Sequence, residues 1–416
     1  MTGGDALRSR LEPLLRACVQ CGLCLPHCAT YLATGDETHS PRGRLLLLGD
    51  ALAADAAPAP AAADAMARCL GCRACETACP SGVTADLLEA AQAMGRAAGA
   101  VGAPLAHRIT PERMPLLGRV GTLAETAVRG LAGPDWRLRL DQGPLASPAR
   151  LLGSRPASPA SDAALVALLD GLTGRATPRD ARLPSPDRDR GPATLFPGCA
   201  NRGLLGPAQR RTADLLTALG WRVETPVADQ CCGALDAHAG RPQAAADRRR
   251  ALPTPAGPWV VEAAGCGLEL VRSDHPAGGA VADAAELLAA SPPRFRREVS
   301  LRVVYHDPCH ALHGRGIHAA PRALLDAVPG LVRLEPEEAD VCCGSGGGYA
   351  LAYPELSQAM GRRKAAHLAA TGAQLVVTSN PGCLGQIRDA LLAAGDHRPV
   401  LPLTDLLWYA LLEPRR

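Results

Sequence analysis

This sequence is poor in the residues that many nucleic-acid-binding proteins use. Aromatic residues make up only 3% of the chain, and Lys364 is the single lysine. The 44 basic side chains, nearly all arginine, are balanced by 41 acidic ones, for a net charge of +3. Such a balance offers no basic footprint for a nucleic acid, and so few aromatic rings disfavour a base-stacking platform. The composition therefore predicts no nucleic-acid partner.

Long apolar runs are also missing. No stretch approaches the roughly 18 apolar residues of a membrane-spanning helix. The first residues include Asp5, Arg8, Arg10 and Glu12, and they lack the apolar centre of a signal peptide. We therefore expect a cytoplasmic protein, which partners could hold at the inner face of the cell membrane.

No common nucleotide or protease motif occurs in the chain. The glycine-rich segment at residues 345–350 does not match G-x-G-x-x-G, Lys364 follows no Walker A loop, and H-E-x-x-H is absent. With 416 residues, 47% of them hydrophobic, the chain can still form roughly two to four domains.

Cysteine is the residue that stands out. There are 16 cysteines, about 4% of the chain, which is below the level of a disulfide scaffold. In a cytoplasmic protein, cysteines at ordered spacings indicate metal or redox chemistry. The identity of the metal has to come from the spacing.

The first eight cysteines form two C-x2-C-x2-C-x3-C runs, the second followed by Pro80. This is the spacing of bacterial two-cluster ferredoxins, in which the fourth cysteine of each run binds the other cluster. Structural zinc is the alternative, but zinc sites usually use separate C-x2-C pairs. The predicted ligands of the first [4Fe–4S] cluster are Cys18, Cys21, Cys24 and Cys79. Those of the second cluster are Cys69, Cys72, Cys75 and Cys28.

The other eight cysteines indicate an internal repeat. Each set combines a cysteine after an apolar stretch, a Cys-Cys-Gly and a Gly-Cys that follows another apolar stretch. In each set the pattern predicts three strands, each leading into a cysteine loop and then a helix. Strands that alternate with helices predict a parallel α/β unit, whose loops at the carboxyl ends of the strands lie together. We therefore expect one metal centre in each repeat. The first set is Cys199, Cys231, Cys232 and Cys266. The second set is Cys309, Cys342, Cys343 and Cys383.

Three histidines, His306, His310 and His313, bracket Cys309. A histidine at such a place can be a metal ligand or a proton carrier. It can equally be a hydrogen-bonding neighbour of the ligands or a surface residue. The sequence does not decide among these roles.

The predicted fold class is a multidomain protein, with a mainly helical two-[4Fe–4S] ferredoxin-like domain before two tandem α/β Cys-Cys-Gly repeats. We expect the ferredoxin-like domain at residues 1–100 and a helical, Pro- and Arg-rich connecting region at 101–192. The two repeats are expected at 193–300 and 301–416. Within the connecting region, helical patterns occur at residues 120–131 and 161–172.

Several motifs resemble those of the glycolate oxidase iron–sulfur subunit family. They include both ferredoxin runs, Ser40-Pro-Arg-Gly-Arg44, Phe196-Pro-Gly-Cys199, Cys231-Cys-Gly-Ala-Leu235 and His306-Asp-Pro-Cys-His310. The resemblance covers nearly the whole chain. It implies an electron-transfer subunit of a complex that oxidises glycolate to glyoxylate and passes electrons towards the respiratory chain. FAD would sit on glycolate oxidase partner subunits, and the complex would associate peripherally with the membrane.

Iron–sulfur subunits of heterodisulfide reductase and of anaerobic glycerol-3-phosphate dehydrogenase are the alternative relatives. In the heterodisulfide reductase pattern the motif closes with C-x-x-C, whereas this chain has Glu269 and Gln386 at those positions. A disulfide-cleaving non-cubane cluster is therefore disfavoured. An ordinary iron–sulfur cluster, a zinc ion and an incompletely filled site all remain open for the repeats. Disulfide reduction at such a centre, or an iron–sulfur sensor without turnover, are the competing functions.

Overall fold

The computed structural model describes residues 11–13, 15–99, 159, 161–225, 230–272 and 281–413. Helices alone make up its N-terminal part, as predicted. They include two short 3₁₀ helices at Leu25–His27 and Glu37–His39. The α-helices are α1 (Ala29–Thr34), α2 (Pro41–Ala54), α3 (Pro60–Ala67), α4 (Ala74–Thr77) and α5 (Ala85–Ala97).

A buried arginine ties this helical part together. The side chain of Ser40 caps α2 by accepting a hydrogen bond from the Gly43 amide at 3.0 Å. Arg44, one turn later, is 1% exposed. Its Nε donates to the Ala65 carbonyl at 2.9 Å, and its two terminal nitrogens donate to Thr30 Oγ1 at 3.2 Å. One cation thus links α1, α2 and α3 beneath the cysteine loops.

Helix α6 (Asp162–Thr173) confirms the helix expected at residues 161–172. The Ser161 hydroxyl accepts from the Ala164 amide at 3.1 Å and so caps its first turn. Leu165 and Leu169, one turn apart, are fully buried. The helical pattern at residues 120–131 lies outside the described residues.

The first repeat is a four-stranded parallel sheet in the order β2-β1-β3-β4. Its strands are β1 (Pro192–Leu195), β2 (Arg222–Glu224), β3 (Trp259–Val261) and β4 (Val281–Asp283). The helices are α7 (Cys199–Leu204), α8 (Gly206–Ala218), α9 (Ala234–His238), α10 (Pro242–Arg250), α11 (Ala264–Val271) and α12 (Ala284–Ala289).

The second repeat has the same strand order, β6-β5-β7-β8, again all parallel. Its strands are β5 (Arg302–Tyr305), β6 (Val332–Leu334), β7 (Leu375–Thr378) and β8 (Val400–Pro402). The helices are α13 (Cys309–Arg315), α14 (Ala319–Asp326), α15 (Tyr349–Ala352), α16 (Pro354–Ala370), α17 (Pro381–Ala393) and α18 (Leu403–Leu411).

Parallel α/β repeats were predicted, but the fourth strand of each sheet was not. The sequence pattern indicated three strands per repeat, each leading into a cysteine loop. β4 and β8 are three residues long and precede no cysteine. Both pair in parallel with the third strand of their repeat, so the third strand lies in the interior of its sheet.

The two repeats share one hydrophobic core. Leu195 and Val260 of the first sheet belong to the same buried cluster as Val303 and Val377 of the second. Helix α18 completes this core, and all nine of its residues are buried. A buried ion pair also joins the two repeats: Arg211 on α8 and Asp405 on α18 lie 3.0 Å apart, and both side chains are 0% exposed.

Among the described residues, no helix is both long enough and apolar enough to cross a membrane.

Candidate metal centres

Four of the ferredoxin-run cysteines line one cavity. They are the four that the spacing predicts for the second cluster, one from the first run and three from the second: Cys28, Cys69, Cys72 and Cys75. Burial raises the pKa of Cys72 and Cys75 well above the ordinary thiol value, and neighbouring thiols raise it further. Buried thiolates need a cation to neutralise them, and iron supplies that charge in a cluster.

The other four ferredoxin-run cysteines include the most exposed one. Cys21 is exposed, and Cys18, Cys24 and Cys79 are partly buried. Burial raises the pKa of the Cys24 thiol, and the neighbouring thiols of Cys28 and Cys18 raise it further. The Val83 amide lies 3.4 Å from Cys79 Sγ, the kind of N–H contact that adjusts the potential of a cluster. The assignment of these four residues to the first cluster stays a prediction.

Loops at the carboxyl ends of three strands bring the first repeat's cysteines together. Cys199 follows β1, Cys231 and Cys232 follow β2, and Cys266 follows β3. Cys231 accepts hydrogen bonds from Cys199 and from Cys232, which lower the pKa of the Cys231 thiol. Cys232 also exchanges a hydrogen bond with Cys266. The four sulfurs therefore form a continuous chain of neighbours.

The second repeat repeats this chain of sulfurs. Cys342 Sγ lies 3.6 Å from Cys309 Sγ. Cys342 is hydrogen-bonded to Cys343, and Cys343 to Cys383. The hydrogen bond with Cys342, and then burial, raise the pKa of Cys309 well above the ordinary thiol value. For Cys342 and Cys343, one thiol hydrogen bond lowers the pKa, but the other hydrogen bond and burial outweigh it and leave the pKa well above that value. Neutral thiols packed this way become thiolate ligands only with a cation among them.

Glycine follows each adjacent cysteine pair for a steric reason. Gly233 has φ +85° and Gly344 has φ +87°, in the left-handed region that favours glycine. A Cβ at Gly233 would meet the Ala245 carbonyl at 2.7 Å, and one at Gly344 would meet Met360 Cβ at 2.7 Å. In each repeat the turn after the cysteine pair thus packs closely against a helix, α10 in the first repeat and α16 in the second.

The three histidines around Cys309 have different surroundings. His310 Nε2 donates to the Gly71 carbonyl at 3.0 Å, and His313 Nε2 donates to the Asp340 carbonyl at 2.8 Å. His313 Nδ1 also accepts from Thr77 Oγ1 at 3.0 Å. These two side chains thus hydrogen-bond helix α13 to its neighbours, including the ferredoxin-like part. His306 instead lies beside Cys343 and Cys383.

Both positions where a fifth cysteine would stand are engaged elsewhere. Glu269 forms an ion pair with Arg249. Gln386 Nε2 donates to the Ser357 carbonyl at 2.8 Å and to its hydroxyl at 3.2 Å. Neither side chain is free to act as a ligand in this arrangement.

Lys364 is a residue whose place the sequence did not indicate. The single lysine is 2% exposed, and its ammonium donates to the Glu338 carbonyl. Burial lowers the pKa of Lys364, whereas Cys343 and Cys342 counter this by raising it. A cation therefore lies close to the second repeat's thiols. In the sequence, the one feature that distinguishes Lys364 is that it is the only lysine. Its place in the sequence does not predict that its side chain is buried beside the thiols.

Comparison with known proteins matches three parts of the chain to known domain families. Residues 14–83 match the 4Fe-4S dicluster domain family, and residues 193–270 and 303–388 match the cysteine-rich domain family. The chain is 30% identical to the probable glycolate oxidase iron-sulfur subunit of Bacillus subtilis, over 91% of this chain and 89% of that protein. The chain belongs to the glycolate oxidase iron–sulfur subunit family. It is an iron–sulfur protein with an electron-transfer function in an oxidoreductase family.

Two further relatives carry names that refer to glycolate and to lactate. The glycolate oxidase iron-sulfur subunit of Escherichia coli is 28% identical, over 91% of each chain. Lactate utilization protein A of Oceanobacillus iheyensis is 25% identical, over 51% of this chain and 95% of its own length. The shorter relative thus corresponds to about half of this chain.

Proposed function

We propose that this chain is the iron–sulfur electron-transfer subunit of a flavin-dependent glycolate dehydrogenase complex. The complex oxidises glycolate to glyoxylate, which releases two electrons and two protons, and sends the electrons towards the respiratory chain. FAD-containing glycolate oxidase subunits are the partners, and they hold the substrate site. Association with the inner face of the cell membrane is peripheral and occurs through the complex.

The ligand assignment is part of this proposal. One [4Fe–4S] cluster is bound by Cys18, Cys21, Cys24 and Cys79, and the other by Cys28, Cys69, Cys72 and Cys75. Each cluster, when bound, can accept and release one electron. Further iron–sulfur or zinc centres occupy the Cys-Cys-Gly domains, which we assign to residues 193–300 and 301–416, after the ferredoxin-like domain at 1–100 and the connecting region at 101–192.

The observation that carries the proposal is the position of Cys72. This ferredoxin-run thiol interacts electrostatically with both Cys309 and Cys342 of the second repeat. The three cysteines belong to one apolar cluster, and Tyr349 in that cluster donates its hydroxyl to the Arg68 carbonyl at 3.0 Å. A second cluster on Cys72 would therefore adjoin a centre on Cys309, which is the arrangement needed for electron exchange.

The test uses the full chain, purified anaerobically with and without its flavoprotein partner. We expect iron and labile sulfide in the chain alone, no flavin and no oxidation of glycolate. With the partner, glycolate should reduce the clusters, as followed by electron paramagnetic resonance. Lactate supplied in place of glycolate tests which hydroxyacid is used.

Matched variants locate the path. Cys75→Ser should leave flavin reduction by glycolate intact and abolish delivery to an external acceptor dye. Leu46→Ser, at a side chain 48% exposed on α2, should leave both steps unchanged. Zinc without sulfide in the chain, or glycolate oxidation by the chain without flavin, would contradict the proposal.

A further inference from the structure

His306 is a buried histidine whose ring lacks hydrogen-bond partners. It directly follows β5 and is 1% exposed. Neither Nδ1 nor Nε2 has a hydrogen-bond partner in the part of the chain that the structure describes. Leaving a buried polar atom without a hydrogen bond destabilises the fold, and such atoms are rare in folded proteins. A ring with both nitrogens unpaired therefore indicates a missing partner.

The ring lies among cysteine sulfurs. His306, Cys343 and Cys383 each offer one ligand atom, a ring nitrogen or a sulfur. These three atoms lie within 4.8 Å of one another, and all three residues are buried. Among the described residues, this is the only group of three histidine, cysteine or acidic side chains found at such spacing. Imidazole nitrogen and thiolate sulfur together suit zinc and iron.

The loop that carries His306 is held in place. Asp307, the next residue, accepts hydrogen bonds from Arg322 at 2.9 Å and 2.6 Å. Asp307 is 3% exposed, so this ion pair is well shielded from water on the carboxylate side. The backbone of the loop is thereby fixed to α14, and the ring of His306 is kept on the side of the sulfurs.

The first repeat has no counterpart to this imidazole. Phe196 directly follows β1 and stands three residues before Cys199, as His306 stands three residues before Cys309. Phe196 packs edge-on against Trp259, with ring centroids 5.3 Å apart. A phenyl ring offers no ligand atom, so the two repeats differ at the same place.

We propose that His306 is a metal ligand at the second Cys-Cys-Gly centre, together with its cysteines. The second repeat then holds a mixed imidazole–thiolate centre, whereas the first holds a thiolate-only one. The inference rests on metal binding by the second repeat and not on the choice of glycolate as substrate. A neutral imidazole in place of an anionic thiolate makes an iron centre easier to reduce, as in mixed His–Cys clusters.

The test uses the full chain with ¹⁵N-labelled histidine, purified anaerobically. Pulsed electron paramagnetic resonance of the iron centres, or of the cobalt-substituted protein where zinc is found, detects a nitrogen bonded directly to the metal. We expect a ¹⁵N-histidine coupling in the unmodified chain. It should disappear in His306→Phe, the side chain of the first repeat, and persist in His367→Gln, a histidine paired with Glu338 at 3.2 Å.

The unmodified chain alone decides the matter if His306→Phe does not fold. Absence of the ¹⁵N coupling from the unmodified chain, or its persistence in His306→Phe, would overturn the proposal. His306→Cys supplies a thiolate at the same place, so it should retain metal at the second centre and lose the nitrogen coupling. These readouts do not depend on glycolate, so they remain decisive whether or not glycolate is the substrate.

Discussion

The two Cys-Cys-Gly repeats have the same strand order and the same four cysteine positions, but their surroundings differ. The second repeat places Cys309 and Cys342 beside ferredoxin-run Cys72, and among the described residues only its sulfurs have a histidine beside them. The first repeat has Phe196 at the corresponding place, packed on Trp259. One strand order thus carries two sets of cysteines, and in the part of the chain that the structure describes only the second set is found beside a ferredoxin-run cysteine. We infer that the second repeat continues the electron path and that the first has a different task.

The largest effects should come from removing one thiolate of each adjacent pair. Cys343→Ser should release about one centre's metal per chain and destabilise the second repeat by several kcal/mol, because metal binding contributes to folding. Cys232→Ser should do the same in the first repeat. Metal and sulfide content and thermal unfolding measure both.

The two variants are each other's control. Both should retain the ferredoxin clusters, but only Cys343→Ser should slow electron transfer to an external acceptor. Equal loss of transfer in both would contradict the different tasks inferred for the two repeats.

Breaking the contact between the repeats is expected to have the next largest effect. Arg211→Met removes this partner of the buried Asp405 carboxylate together with the Arg211 hydrogen bonds to Asp162 and to the Pro159 carbonyl, and we expect a cost of about 3–5 kcal/mol in the free energy of unfolding. Arg210→Met is the control, because Arg210 is 51% exposed and its ion pair with Asp162 contributes only about 0–1 kcal/mol. Denaturant titration compares them, and similar small losses in both would show that the buried pair does not stabilise the shared core.

The smallest expected effect is a pH dependence of the free energy of unfolding, which arises from a carboxyl group in the first repeat that the second repeat lacks at the corresponding place. Burial raises the pKa of Glu262, just after β3, to about 7, although Thr212 and Thr404 donate to its Oε1 at 2.6 Å and 2.9 Å. The corresponding residue after β7 is Ser379, which has no carboxyl group. The folded protein therefore keeps the Glu262 proton to higher pH than the unfolded chain does.

This difference fixes the sign of the pH dependence. As pH rises from about 4.5 to about 7, the unfolded chain loses this proton first, so Glu262 lowers the free energy of unfolding by up to about 3 kcal/mol. Glu262→Gln keeps the acceptor oxygen and should flatten that decline. Asp283, whose pKa burial also raises to about 7, retains part of it. Glu337→Gln, at a side chain 88% exposed, is the control and should not alter the slope.

Much of this fold follows from the cysteine spacing and from the alternation of strands and helices. The two ferredoxin runs and the duplicated cysteine sets are local patterns, and the parallel sheets follow from strands separated by helices. β4 and β8 were missed because three residues are too few to show a strand's hydrophobic pattern, and neither strand leads into a cysteine motif. The proximity of Cys72 to Cys309 is a tertiary contact between residues far apart in the chain, which spacing alone does not encode.

The histidines show the same limit at the scale of a single loop. Sequence places His306, His310 and His313 equally around Cys309. His306 lies at the end of β5 and is placed beside Cys343 and Cys383. The other two histidines lie on α13, where His310 bonds Gly71 and His313 bonds Thr77 and Asp340. Direction depends on where the strand ends and the helix begins, and sequence patterns locate such boundaries least well.

Helix α18 has a consequence for how the protein is made. Arg211 on α8 meets Asp405 on α18 across 194 positions of the chain, and all nine residues of α18 are buried. During synthesis the first repeat therefore leaves the ribosome before α18 has been made. Part of its apolar surface stays uncovered until α18 has been synthesised. During that interval the uncovered apolar surface makes a newly made chain prone to aggregate.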